Sequence, residues 1–136
     1  MILENLLKAI YSALANNSDL TELVPADRIR RGWNEPVGVP TIRFAGFGAR
    51  AIGDDSDNSQ ILEETINVTI LTDGDLEIEP ITSAILNSMK AESVTDDDIE
   101  IHSLKLFGDS RGTFFDPIRK RHRKDLEFSI IYSLLA

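Results

Sequence analysis

Apolar residues recur at Leu3, Leu6, Leu7, Ile10 and Leu14, a three-and-four spacing that lays one stripe along a helix and predicts helix from Ile2 to Ala15. Asn16-Asn17 ends it. Asp19, with Glu22 at the reciprocal position, is the expected cap of a second short helical turn, which Pro25 stops by forcing Val24 out of helical geometry. Arg28 to Trp33 reads as a short strand. After the turn-prone run from Asn34 to Pro40, the segment Thr41 to Phe47 sets Ile42 and Phe44 against Thr41 and Arg43, and Gly46 marks an expected bulge.

The polar stretch 48–59 carries Asp54, Asp55, Asp57 and Asn58 among glycines and serines, and predicts a flexible projecting loop. Gln60 to Thr72 then alternates, with Leu62, Ile66, Val68 and Ile70 on one face and Glu63, Thr65, Asn67 and Thr69 on the other. Such a strand spans roughly 40 Å, long for a small domain, so part of it is expected to reach beyond the core. Pro80 opens a helix whose inward stripe is Ile81, Ala84, Ile85 and Met89. In the strand from Ile99 to Phe107 the apolar phase shifts between Ile101 and Leu104. Residues 108–117 form the last loop, and Leu126, Phe128, Ile130, Tyr132 and Leu134 mark one face of the final strand. Helix, strands, helix, strands is the order of an α+β fold: an antiparallel sheet with two main helices packed on it, one domain over residues 1–136.

At 136 residues, 42% hydrophobic and 27% charged, the composition is that of a folded globular chain. No apolar run approaches the ~20 residues that span a bilayer, and the first residues lack the basic start of a signal peptide, so a soluble protein without a membrane partner is expected. With no cysteine there is no disulfide, thiol nucleophile or thiolate metal site.

The net charge of −9 is uneven: −2 over residues 1–60, −10 over 61–110 and +3 over 111–136. Five of the fourteen Lys and Arg fall within Arg119-Lys120-Arg121-His122-Arg123-Lys124. A general nucleic-acid binder is basic over a whole face, because affinity comes from neutralised phosphates. One basic edge on an acidic chain suits pairing with a protein surface, and no aromatic is interleaved in the run to stack on bases.

Other motifs fail on context. Gly108-Asp109-Ser110-Arg111-Gly112 matches a G-x-S-x-G nucleophile elbow, but no helix follows, and His122 has no carboxylate positioned to orient it. The segments opening at Asp55 and Asp73 begin like calcium loops. They lack the glycine sixth and the glutamate twelfth that would close such a site, and His102 has no second histidine nearby. No catalytic, metal or cofactor site is expected.

The helix ending in Asp19-Leu20-Thr21-Glu22-Leu23-Val24, then Arg28-Ile29-Arg30, Val39-Pro40-Thr41-Ile42-Arg43-Phe44, the long strand, the helix Ile81 to Lys90 and the ending Asp116-Pro117 through Arg121-His122-Arg123 to Tyr132 together resemble the bacteriophage tail-terminator or tail-completion family. The resemblance covers nearly the whole chain. It implies a non-enzymatic virion protein that assembles in the host bacterial cytoplasm and caps the tail tube as a ring, usually a hexamer, ending polymerisation and offering the head-joining surface. A head-tail connector or other minor tail protein of the same architecture is the alternative within that class, and a small nucleic-acid-binding module the alternative outside it. The implied partners are further copies of the chain, the tube protein and connector proteins, with passing contact to phage DNA. On this reading Arg119, Lys120, Arg121, Arg123 and Lys124 meet acids of an adjacent subunit, with Glu63, Glu64, Asp96, Asp97 and Asp98 as candidates. Arg50, Asp54, Asp55 and Asp57 in the projecting loop would dock on tube or connector.

Overall fold

The first helix, α1, spans Ile2–Ala15 and buries Leu6, Ile10 and Leu14 of the expected stripe, with Ala9 beside them and Leu7 partly buried. This is seen in a computed structural model, which describes residues 2–32, 38–54, 60–108, 113–118 and 120–134. The second helix, α2, spans Ser18–Leu23, and its cap is Asn17 rather than Asp19. Asn17 has the extended backbone a cap requires, and its Oδ1 accepts the Leu20 N–H at 3.0 Å. Asp19 lies one step inside the helix, where its charge favours the helix dipole instead.

Strand β1 is Ile29–Arg31 and β2 is Thr41–Asp54; the two pair in parallel, a departure from the all-antiparallel expectation. Every other pairing is antiparallel. Strand β3 (Gln60–Thr72) lies between β2 and β6 (Arg121–Leu134) over its whole length, so no part of it projects alone. Strand β4 (Ile99–Gly108) closes the far edge, and the sheet order is β1-β2-β3-β6-β4. A short β5 (Phe114–Asp116), inside the expected last loop, continues β4's line along β6, pairing Phe114 with Arg123 and Asp116 with Arg121. Helix α3 (Ile78–Ser88) has Pro80 in its first turn and buries Ile78, Ile81, Ala84 and Ile85.

Two boundaries moved for physical reasons, and one foreseen irregularity is present. Residues Gly48–Asp54, expected in a projecting loop, belong to β2, because Ala49, Arg50, Ala51, Gly53 and Asp54 all find backbone partners on β3. Their small and polar side chains hide this from a hydrophobicity pattern. The ladder tolerates them through register shifts at 46–49 and 51–53; Gly48, at φ +107°, sits where a side chain would be strained. The basic run does not lead into the last strand but is its first part, from Arg121 onward. The phase shift foreseen in β4 is a register shift between Ile101 and Ser103, after which Leu104 and Leu106 oppose Ile130 and Phe128.

The core lies between the helices and one sheet face: Ile42 and Phe44 of β2, Ile66, Val68 and Ile70 of β3, and Leu126, Phe128, Ile130 and Tyr132 of β6, all buried. Among the described residues no helix is long and apolar enough to cross a membrane.

Candidate interaction surfaces

The register of β3 against β6 decides where each charge points. Because partners share a face, Leu62 and Glu64 lie with Tyr132 and Ile130 on the core side, while Thr69 and Leu71 lie with Asp125 and Arg123 on the other. Glu64, expected to meet an adjacent subunit, is therefore turned into the protein and 0% exposed. A period-two count from Leu62 and Ile66 already puts it on that face, where its acidity disguised it. Among the described residues neither of its carboxylate oxygens, nor the Tyr132 hydroxyl, has a hydrogen-bond partner. Burial pushes the Glu64 carboxyl above the ordinary carboxylate range, opposed by the nearby amides of Gly48, Phe47 and Thr65, none of which reaches hydrogen-bonding geometry. Burial, and then the Glu64 charge, push the Tyr132 phenol up to about 12.

The basic run finds acids within its own chain. Arg123 lies against Asp125 at 3.1 Å and Asp116 at 3.6 Å, and stacks 5.8 Å from the Phe114 ring centre. Asp125 is buried on the sheet face away from the core and also accepts from Thr69 Oγ1 at 2.7 Å; Thr69 in turn accepts from Asn67 at 3.0 Å. Lys124 points to the helix side, buried, with Glu79 of α3 at 3.3 Å. Arg121 is half-buried and only loosely paired with Asp73, at 3.7 Å. Lys120 is exposed in the β5–β6 turn at φ +55°, and Arg119 lies outside the described residues. Sequence reading missed Asp73, Glu79 and Asp116 as partners; only the β3–β6 pairing, the placing of α3 and the β5–β6 hairpin bring them to the run.

Of the acidic candidates, Glu63 accepts from Arg50 of the same chain at 2.7 Å. Asp96–Asp98 stand just before β4, where Asp96 caps the Asp98 N–H at 2.9 Å and Asp98 is 3.4 Å from Asn5 Nδ2. Since Ile99 opposes Leu134, this cluster lies at the end of the sheet opposite the basic run, roughly 40 Å away along β6. Arg50 and Asp54 lie in β2, while Asp55, Asp57 and Ser110 fall outside the described residues. His102 shares a 2.8 Å hydrogen bond with Ser133, and no metal-holding group of acids or histidines occurs among the described residues.

The surface also carries apolar side chains that a charge-based reading passed over. Ile118 is 88% exposed at the β5–β6 turn and Phe115 53%, the latter edge-on to His122. Phe47 and Ile52 are exposed on the far part of β2, and Phe107 on the edge strand β4.

A sequence profile described as "Tail completion protein gp17" matches residues 8–133, almost the entire sheet, α2, α3 and the second half of α1. The chain belongs to that family. Within it, the matched span takes in both the basic start of β6 and the acidic cluster before β4. A solved structure described as "Virion of native gene transfer agent (GTA) particle" superposes with a TM-score of 0.75 at 12% identity, covering 97% of each chain. At that identity the likeness establishes the shared fold. No curated protein matches the sequence.

Proposed function

We propose that this tail completion protein caps the tail tube as an oligomeric ring, which ends tube polymerisation and presents the surface to which the head joins. Family membership makes it a structural tail protein. What supports the ring in particular is charge placement: cations at the start of β6 and the Asp96–Asp98 cluster at the other end of the same sheet. Unlike patches at opposite ends favour a head-to-tail contact, and a head-to-tail contact repeated with rotation closes into a ring. Because Arg123 and Lys124 are held by their own chain's acids, the cations of the run left for a neighbour among the described residues are Lys120 and the loosely held Arg121. Arg50, Phe47 and Ile52 on the outer part of β2 are the surface for tube or connector.

A nucleic-acid reading gains from Phe114 and Phe115, which β5 sets beside Arg123 and His122. It loses more from Asp73, Asp116 and Asp125, which neutralise the same cations. Light scattering on the purified protein, with and without tube protein, tests the ring. Wild type is expected to form one closed oligomer and to hold tubes at fixed length, and Arg121→Glu to weaken both. A protein that stays monomeric with tubes present, together with a variant that still caps them, refutes the proposal.

A further inference from the structure

The outer part of β2 is held by backbone pairing rather than by packing. Every residue from Phe47 to Gly53 is exposed, so this stretch brings no side chain into the core. No neighbouring atom lies within 4 Å of where a side chain would start at Gly48 or Gly53. Among the described residues β1 pairs only with Ile42–Phe44, which leaves β3 as the one partner of this stretch, and that ladder shifts register at 46–49 and again at 51–53. A segment with an exposed backbone ladder and no buried side chain is one that opens locally at low cost.

This weakly held stretch flanks the buried acid of β3. Glu64 opposes Ala49, and its two oxygens lack a partner among the described residues. Two of the three backbone amides near its carboxylate, those of Phe47 and Gly48, belong to the β2 bulge. When outer β2 parts from β3, the flank of Glu64 that faces Ala49 meets water. Among the described residues the titratable side chain facing Glu64 is Tyr132 of β6. Arg50 of β2 and Glu63 of β3 pair with each other on the opposite sheet face, where Glu100 and Lys105 of β4 oppose Ser133 and Ser129 and His102 bonds to Ser133. Glu4 and Lys8 of α1 and Glu79 of α3 are exposed. No cation is therefore in place to hold the ionised carboxylate in the closed state.

A neutral carboxyl tolerates this site, whereas a carboxylate is favoured by the water that opening admits. Opening is then indifferent to pH in acid, rises with pH from the ordinary value of 4.5 through the raised value of the closed state, and levels above it. By the same linkage, a partner that holds β2 closed favours proton uptake.

We infer that Glu64 is a proton-controlled latch on outer β2: protonated, it lets residues 47–53 lie closed on β3, and ionised, it drives them open, so that docking through Phe47 and Ile52 is tied to the uptake of one proton. The docking half rests on the reading of Phe47 and Ile52 given above; the latch itself does not.

Amide exchange of the purified protein between pH 5 and pH 8 tests the latch. Glu64→Gln removes the titrating proton and leaves the sequence of residues 47–53 unchanged, so the ratio of their exchange rates in wild type and variant cancels the intrinsic effect of pH. That ratio should rise with pH by up to about tenfold per unit and then level. Residues 47–53 should also exchange ahead of residues 66–70, and a low concentration of urea should not speed them, the marks of local rather than global opening. A ratio that does not vary with pH, for Glu64→Gln and for Glu64→Leu as a second variant, overturns the latch, as does exchange at 47–53 that keeps step with 66–70. Co-sedimentation with tube protein tests the docking half: wild type should bind several-fold more weakly at pH 8 than at pH 5.5, and Glu64→Gln equally at both. A pH dependence that the variant shares, or none in wild type, overturns the link between latch and docking. Absence of tube binding at either pH, with the exchange pattern as expected, refutes the docking reading and leaves the latch standing.

Discussion

Replacing Glu64 with leucine should stabilise the protein at neutral pH, the reverse of the usual result of changing a fully buried residue. Both carboxylate oxygens are buried without a hydrogen-bond partner among the described residues, between Leu62 and Ile66 on one strand and beside Ile130 on the next. An unsatisfied buried polar group costs about 1–3 kcal/mol, more when charged, and the nearby amides recover part of it. Leucine is of similar size and completes an apolar row. The expected gain is therefore about 1–3 kcal/mol at pH 7, or about 3–10 °C in Tm for a chain of this length. The sign of the pH dependence follows from the direction of the shift. With its folded pKa raised, Glu64 holds its proton more tightly in the folded state. Its contribution is then most favourable in acid below the ordinary value of 4.5, and stability falls as pH rises from there through the raised pKa. Urea unfolding of wild type, Glu64→Gln and Glu64→Leu between pH 4 and pH 8 measures this. The gap between wild type and Glu64→Leu should widen with pH, and that for Glu64→Gln should follow the same slope. A Glu64→Leu protein less stable than wild type at pH 7, or a gap that does not vary with pH, would refute the reasoning and mean that the carboxylate has a partner when ionised.

Asp125→Ala should cost about 2–4 kcal/mol, since it strips a buried acceptor from both Thr69 and Arg123; chemical denaturation reads it, and a loss under 1 kcal/mol would show the network to be ornamental. Lys120→Gly relieves a left-handed backbone position and should raise stability by about 0.5–1 kcal/mol while weakening ring formation, so that calorimetry and light scattering move in opposite directions. Phe47→Ser with Ile52→Ser should reduce co-sedimentation with tube protein several-fold and leave self-association unchanged, because both side chains are exposed outside the core.

Much of this fold can be read from periodicity. The stripe of α1, the alternation of β3 and β6 and the slip of phase inside β4 each reflect side chains that must reach one core, and such spacing survives in the sequence whatever the elements pack against. Residues whose role depends on backbone pairing alone were harder to read. Gly48–Asp54 carries no apolar rhythm, yet β3 offers it a ladder; Phe114–Asp116 looked like loop until β6 claimed it as a strand. Asn17 rather than Asp19 caps α2 because the cap belongs to whichever residue the chain leaves extended.

The candidate surfaces divide in the same way. The sequence alone determined that five cations gather within residues 119–124, that acids dominate the middle of the chain, and that cysteine chemistry is absent. Only the tertiary structure decided what those charges face. Asp73, Asp116 and Glu79 reach Arg121, Arg123 and Lys124 from the end of a paired strand, across a hairpin and from the start of a helix, placements that no local pattern encodes. Charge is written residue by residue, but the partner of a charge is set by register and chain direction, and these are fixed only when the strands pair.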